Sequence, residues 1–430
     1  MTTRSPSLKL LTNSRKRCFR RCNRLHHLQY DLGYRPVAKS EALRFGALGH
    51  DALEIWWVEH ITDAGLRDQH WRRIWARRGV AVEGMARAEW VPDPLGCALD
   101  AIDADIADPF MKARARAAIR GYDRKWGPVA SRYRVMSVEH EFAIPLINPA
   151  TKRASKVWLS AGKMDVLVND LEARVVMPIE HKFTARDISE GSRYWKRLRM
   201  DSQLSTYIAG ASVSAGVNID RALYDVIKRP DQRQLRATPV DERKYTQPKT
   251  KLCPECKKKT PATPAPHSFP VDDERKTVEC IDDPEGRGKR IVVTDPGGKL
   301  YATMRETDET VEEFEARVDK VIADRENEFY LRDVVTRTPA EIFDAMADDW
   351  VDAKRMHAAA IDPRLATRNV DACDGDDGSC AFLDACYGLD VLNDPNQFRK
   401  TDQVHEELFD LSEPPMHDDQ PTVTDEESPL

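Results

Sequence analysis

Apolar and polar residues alternate with a period of two through Val138-Glu139-His140-Glu141-Phe142-Ala143-Ile144-Pro145-Leu146. That pattern predicts a strand with one buried face, the first strand of a central sheet. Val157-Trp158-Leu159-Ser160-Ala161 leads into Gly162-Lys163-Met164-Asp165, and Val166-Leu167-Val168 follows. Asn169-Asp170-Leu171-Glu172 has the composition of a turn, and Arg174-Val175-Val176-Met177-Pro178-Ile179 climbs back to Glu180-His181-Lys182. β-branched and apolar runs bounded by turn residues predict two adjacent strands, and Arg221 to Ile227 predicts another. Tyr194 to Ala211 reads as a helix, as do most of residues 1–60, the Ala/Arg/Trp-rich stretch 61–130 and residues 305–360. The expected class is α/β. Its organisation is a helical region over 1–130, a core sheet and helix over 131–228, a Pro/Lys/Gly-rich insertion of poor periodicity over 229–300 and a helical region over 301–395. An acidic tail over 396–430 has the low hydrophobicity and high charge of disorder. There is no internal repeat.

Composition narrows the class. At 430 residues the chain has two or three domains' worth of sequence. Charged residues make up 32% and mean hydropathy is −0.59, so the surface is strongly solvated. No secretory leader pattern and no long apolar run occur, which predicts a cytoplasmic protein without a membrane span. Net charge is −6, not the footprint of a nucleic-acid binder, but its distribution matters more than its sum. Arg4, Lys9, Arg15, Lys16, Arg17, Arg20, Arg21, Arg24 and Arg35 stand against Asp31 alone at the N-terminus. Arg193, Lys196, Arg197 and Arg199 form a second basic run, and the acidic C-terminal end offsets both. A basic run is commonly just a solvated face. Two of them flanking a metal site read better as phosphate contacts. Trp71, Trp75 and Trp90 are expected to pack a helical core rather than stack on bases. No G-x-x-x-x-G-K-[ST] phosphate loop occurs; Gly297-Gly298-Lys299-Leu300 lacks both the spacing and the hydroxyl. Any helicase motor would therefore be a separate protein.

The chemistry concentrates on the two middle strands. Glu180 and Lys182 lie two apart on a strand and share a face. Two carboxylates, Asp165 and Glu180, can hold a hard divalent cation, and a neighbouring Lys can orient water or neutralise charge developing on a phosphate. Each part alone has an ordinary reading: a turn aspartate, a solvated Glu-x-Lys pair. In combination they resemble the PD-(D/E)XK nuclease superfamily, and within it the RecB-like branch. Four blocks carry the resemblance: Ser14-Arg15-Lys16-Arg17-Cys18-Phe19-Arg20-Arg21-Cys22 continuing to Tyr30 and Gly33; Phe45-Gly46-Ala47-Leu48-Gly49-His50; Asp165 with Glu180-x-Lys182; and Asp201-Ser202-Gln203-Leu204-Ser205-Thr206-Tyr207. The resemblance implies a mixed-sheet core. It implies that His50, Asp165, Glu180 and the His181 carbonyl bind Mg²⁺ or Mn²⁺, and that Lys182 is catalytic. It further implies that Gln203 and Tyr207, on one helical face, help hold DNA and order the site. Arg20, Arg21 and Arg197 are the expected phosphate contacts.

Nine cysteines are present. In a reducing cytosol their clustering suggests metal or redox chemistry rather than disulfides, and thiolates suit iron–sulfur clusters or zinc. The RecB-like resemblance implies a 4Fe–4S cluster on Cys22, Cys373, Cys380 and Cys386 that staples the chain ends, with Cys18 as the reserve ligand. The six residues between Cys373 and Cys380 exceed the family's usual two. Buried structural cysteines are the alternative. Cys253-Pro254-Glu255-Cys256 supplies half of a structural zinc site; His267 and Cys280, at no standard spacing, are the candidates for the other half, and a surface loop is the alternative. The functional expectation is a metal-dependent DNA nuclease, an exonuclease on single strands or duplex ends in recombination, repair or phage DNA metabolism. It would work with DNA, and a separate helicase or recombination protein is the candidate protein partner. Two alternatives are a non-catalytic iron–sulfur DNA-binding or recruitment protein on the same fold and a zinc-containing adaptor.

Overall fold

A long antiparallel hairpin carries the site. The computed structural model describes residues 8–38, 40–78, 93–253, 266–271, 274–282, 290–375 and 378–408. The chain divides into two compact units, one made of Met1–Asp231 with Glu315–Leu430 and the other of Gln232–Phe314.

The first unit opens with β1 (Lys9–Leu11), α1 (Asn13–Arg21), α2 (Asn23–His26) and β2 (Tyr34–Pro36). Four helices follow: α3 (Glu41–Glu59), α4 (Ala64–Arg77), α5 (Pro94–Ala104) and α6 (Pro109–Trp126). The hairpin is β3 (Tyr133–Ile147) and β4 (Ala154–Asp170); then come β5 (Val175–Thr184), α7 (Arg193–Arg199), α8 (Ser202–Ala215) and β6 (Arg221–Lys228). The second unit holds a four-stranded sheet in the order β7-β10-β9-β8, from β7 (Lys249–Leu252), β8 (Pro266–Val271), β9 (Glu274–Asp282) and β10 (Arg290–Asp295). The chain continues through α9 (Val311–Asp324), α10 (Glu326–Phe329), β11 (Tyr330–Thr336) and α11 (Pro339–Ile361). It ends in β12 (Asp374–Gly375), β13 (Gly378–Ser379), α12 (Leu383–Cys386) and β14 (Phe398–Lys400).

The central sheet is mixed, ordered β1-β4-β5-β6-β11, with β3 paired to the other edge of β4. β1 runs parallel to β4 at Lys9–Leu11 opposite Trp158–Ser160, while β5 runs antiparallel to β4 from Val166 to Asp170. Residues 161–165 of β4 therefore have no ladder partner on that edge. β5 and β6 are parallel, and α7 and α8 supply the crossover that a parallel pair needs. α8 starts at Asp201, whose carboxylate accepts the Gln203 N–H at 2.9 Å, and stops at Gly216, whose φ of 66° suits glycine. Its apolar face covers Phe142, Met164, Leu167, Tyr224 and Val226 of the sheet. α3 starts at the Ser40 cap and is buried through Trp56, Trp57 and Val58.

Four readings of the sequence are corrected, and the 229–300 stretch gains detail. β3 is not the first strand of the sheet; β1 precedes it, and three residues are too few to show a period. The 305–360 stretch is not wholly helical, because β11 closes the sheet edge against β6; its Arg332 and Asp333 interrupt the apolar run that marks a strand. The predicted helix 194–211 breaks at Met200 and Asp201. The 229–300 stretch contains paired strands despite its weak period. Residues 398–408, expected in the tail, dock on the N-terminal region: β14 pairs with β2, Arg35 donates to the Val404 carbonyl at 2.6 Å, and Leu408 is buried. Trp71 is buried and donates to Glu59 at 2.9 Å. Trp90 and the residues after 408 lie outside the described residues.

Candidate active site

The site forms where the sheet comes apart. The β4–β5 ladder ends at Val166 opposite Ile179, so Asp165 and Glu180 are the first residues past the last pair. In place of a ladder bond, the His181 N–H donates to Asp165 Oδ2 at 2.6 Å. α3 brings His50 in from more than a hundred residues upstream, with Nδ1 3.5 Å from Asp165 Oδ1. Its approach depends on Gly49. A Cβ there would lie 2.2 Å from the Phe183 ring on β5. Gly162 does the same for α8, since a Cβ would meet Tyr207 at 2.8 Å and Phe142 at 2.9 Å.

α8 fastens the other half. Gln203 Nε2 donates to Glu180 Oε1 at 2.8 Å, and Gln203 Oε1 accepts from Lys182 Nζ at 2.8 Å. Lys182 Nζ also donates to Glu180 Oε1, at 2.5 Å. One amide thus holds acid and amine in a fixed triangle. Tyr207, one turn on, is buried and lines the same cleft of about 230 Å³ as Asn13, His50, Glu139, Asp165 and Gln203. His50, Asp165, Glu180, Lys182, Gln203 and Tyr207, all singled out in the sequence, are brought together.

Glu139 joins them and was not singled out. Its carboxylate, an imidazole nitrogen of His50 and a carboxylate oxygen of Asp165 lie within 4.8 Å of one another. Glu139 sits between the register pairs Val138–Val166 and His140–Met164, with φ of 50°. A non-glycine residue there costs on the order of 1 kcal/mol, a strain that re-aims its side chain. Lys163 pairs with Glu139. Glu54, one turn after His50, pairs with Arg77 behind it. The one signal in the sequence was a carboxylate on β3, the strand paired with the Asp165 strand. The twist that turns it inward has no counterpart in the period.

The electrostatics follow from burying like charges together. Burial opposes charge on Asp165, but His50 and the His181 N–H hold it well below the usual carboxylate range. Burial drives Glu180 up to about 7; Lys182 pulls against this and Asp165 adds to it. Burial opposes the Lys182 charge, yet Glu180 raises its pKa. Burial also opposes charge on His50, but Asp165 raises it to about 8, with the side chain still 37% exposed. Glu180 Oε2 is buried and has no hydrogen-bond partner. Such an orphan oxygen is costly, and a divalent cation would satisfy it. The oxygen- and imidazole-rich donor set suits a hard or borderline ion.

A model of the PD-(D/E)XK nuclease superfamily matches residues 11–387, from the end of β1 to just past α12. That span includes every residue of the cleft described above. The chain belongs to the PD-(D/E)XK nuclease superfamily. No curated protein matches it. Membership makes it a metal-dependent nuclease in kind, with DNA as the substrate the family implies, on the α/β mixed-sheet fold seen here.

The remaining predicted residues are spread more widely. Arg20 donates to Asp352 at 2.6 Å and pairs with Asp349 at 3.3 Å, tying α1 to α11 beside the buried Lys16–Asp349 pair at 2.7 Å. Arg21 donates to the Ala372 carbonyl at 3.2 Å. Arg197 is exposed on α7. Cys18, Cys22, Cys380 and Cys386 pack around Leu25, Leu28, Phe382 and Phe398. Asn369 donates its N–H to Cys22 Sγ at 3.4 Å and accepts from Cys373 Sγ at 3.6 Å, and the Cys380 N–H reaches the Cys373 carbonyl at 2.8 Å. Cysteines from both chain ends therefore meet in one region. In the second unit, Cys253 and Cys280 are buried on either side of β10. His267 lies on β8 opposite Val278; its side chain and Cys256 lie outside the described residues. Among the described residues no helix is long and apolar enough to cross a membrane.

Proposed function

We propose that the chain is a Mg²⁺- or Mn²⁺-dependent deoxyribonuclease, an exonuclease acting on single strands or duplex ends in recombination, repair or phage DNA metabolism. The observation that carries this reading is the buried, partnerless Glu180 Oε2 beside Asp165, with Lys182 and His50 fixed around them. His50, Asp165, Glu180 and the His181 carbonyl would hold the ion. When bound, the ion supplies Lewis acidity and lowers the pKa of a water ligand. Lys182 Nζ, locked between Glu180 Oε1 and Gln203 Oε1, presents a positive charge to the phosphate and a proton donor to the leaving oxygen. Gln203 keeps that amine from swinging away. Tyr207 and Gly162 close the floor of the cleft, and Arg197 offers a phosphate contact.

The cysteine region supports a 4Fe–4S cluster on Cys22, Cys373, Cys380 and Cys386. Burial pushes the Cys18 thiol up to about 12, Arg35 pulls it down and Cys22 pushes it further. It donates to Gln29 Oε1 at 3.1 Å, a bond it would give up to ligate iron, which favours Cys22 as the ligand. The Asn369 N–H on Cys22 Sγ is the kind of contact that tunes such a sulfur. Cys253 and Cys280 are the described half of a possible structural zinc site.

The deciding experiment is cleavage of end-labelled single- and double-stranded DNA with Mg²⁺, Mn²⁺ or chelator, comparing the parent with Asp165→Ala and Lys182→Ala. Both variants are expected to lose activity by about 10²-fold or more and to keep the fold. Activity within about tenfold of the parent in either variant refutes the site, because one electrostatic group of this kind ordinarily contributes far more. Binding of DNA ends by a parent protein that never cleaves would favour the recruitment role instead.

A further inference from the structure

We propose that Asp225 is a positioning residue for the nuclease centre. Through the His181 side chain it fixes the stretch of β5 that carries Glu180 and Lys182 and holds Asp165. The proposal rests on the nuclease reading above.

Three neighbouring strands place three polar residues in one row. His181 on β5 is opposite Asp225 on β6, and Asp225 is opposite Arg332 on β11. Because side chains alternate, the row lies on the sheet face away from Glu180 and Lys182. Asp225 Oδ2 accepts from the Tyr122 hydroxyl of α6 at 2.6 Å and from Arg332 Nη2 at 2.9 Å, and lies 3.3 Å from His181 Nδ1. Arg332 also donates to the Tyr122 oxygen at 2.9 Å and stacks 4.1 Å over Trp126. Every member of the row is buried, Asp225 completely. Burial opposes the Asp225 charge, yet Arg332 and then His181 hold it below the ordinary carboxylate range.

Stability alone does not account for such a row. A buried ion pair gains little over well-packed apolar residues of the same size. What it supplies is a single permitted geometry, since each donor is costly to leave unmet. His181 abuts that geometry: its Nδ1 lies 3.3 Å from Asp225 Oδ2 without a hydrogen bond, so the contact is electrostatic. The imidazole lies between Trp57 of α3 at 6.2 Å, Tyr122 at 6.2 Å and His50 at 6.4 Å. The same residue donates its backbone N–H to Asp165. One side chain therefore registers β5 against α3, the helix bearing His50, from behind the reacting face. A shift of about 1 Å in such groups is enough to cost 10²-fold in rate.

The test uses the full-length parent, Asp225→Asn and Tyr122→Phe. Mn²⁺ binding is read directly by electron paramagnetic resonance, and cleavage is followed as a function of Mn²⁺ at saturating DNA. Removing the partner behind a metal-binding group typically costs 10- to 100-fold in metal affinity or activity, and Asp225→Asn is expected in that range. DNA affinity measured in Ca²⁺ should stay within about twofold, because the row touches no substrate. A purely structural role would lower the melting temperature and the active fraction and leave the Mn²⁺ midpoint of the remaining protein in place. That result, or a Mn²⁺ midpoint within about threefold of the parent, overturns the proposal. If Asp225→Asn does not fold, Tyr122→Phe decides, since it removes one hydrogen bond and keeps the ring: a shifted midpoint supports the role and an unchanged one overturns it. Mn²⁺ binding by a parent that does not cleave would sink the nuclease reading alone, because the midpoint shift is still readable.

Discussion

Two protons report on the candidate site. Glu180 is raised from 4.5 to about 7 by burial, so without metal its contribution to stability is full below pH 4.5 and is lost as pH rises through about 7. His50 is raised from 6.5 to about 8 against burial by Asp165; its contribution is full below pH 6.5 and lost as pH rises through about 8. Both signs agree. In chelator, the melting temperature attributable to these groups should fall between pH 4.5 and 8, and Glu180→Gln should remove the lower part of that slope. Added Mn²⁺ should reverse the trend, because it binds the ionised acid and the neutral imidazole. Calorimetry across this range checks both; a chelated protein whose stability rises toward pH 8 and whose slope Glu180→Gln leaves unchanged would contradict the account. Asp165, Glu180 and Lys182 stand out in the sequence as two acids and an amine on adjacent strands, whereas His50 and Gln203 entered only through the family resemblance. Glu139 was not, because its inward turn comes from a positive φ in β3 and no residue type announces it.

At the scale of elements, the site depends on how closely two of them approach. Gly49 lets α3 lie against Phe183 of β5. An exposed helical glycine replaced by a bulkier residue would gain from propensity. Here Gly49→Val should instead destabilise by about 1–3 kcal/mol through overpacking and lower cleavage by withdrawing His50 from Asp165. Phe183→Ala should recover part of both in the double variant, a coupling that a double-mutant cycle measures. Additive losses would mean that the two residues do not touch in solution. The strands β3, β4 and β5 were legible from alternation and turn residues. β1 and β11 were not: one is too short for a period, and the other carries Arg332 facing a buried carboxylate where a strand is expected to be apolar.

At the scale of the molecule, early and late segments of the described chain meet. β14 pairs with β2, and Glu407 near the end of the described chain lines the cleft with His50 and Asp165. The cysteines of α1 and α12 lie in the same region. If a cluster joins them, Cys386→Ser should remove iron and acid-labile sulfide, bleach the brown colour and lower the melting temperature. Closing so long a loop is worth about 6 kcal/mol by chain entropy. Metal and sulfide analysis of anaerobically purified protein decides this; zinc or no metal in the parent would rule the cluster out.

By itself the sequence determined the class of the fold and the kinds of chemistry available to it. Period, turn composition and donor types are local properties, and they are written in neighbouring residues. Tertiary structure decided where the ladder between β4 and β5 gives out, which way Glu139 points, and that His181 stands against Asp225. Those facts depend on register and on contacts between residues tens to hundreds of positions apart. A chain settles such contacts only by excluding water from all of its layers at once, and no short window of residues records the outcome.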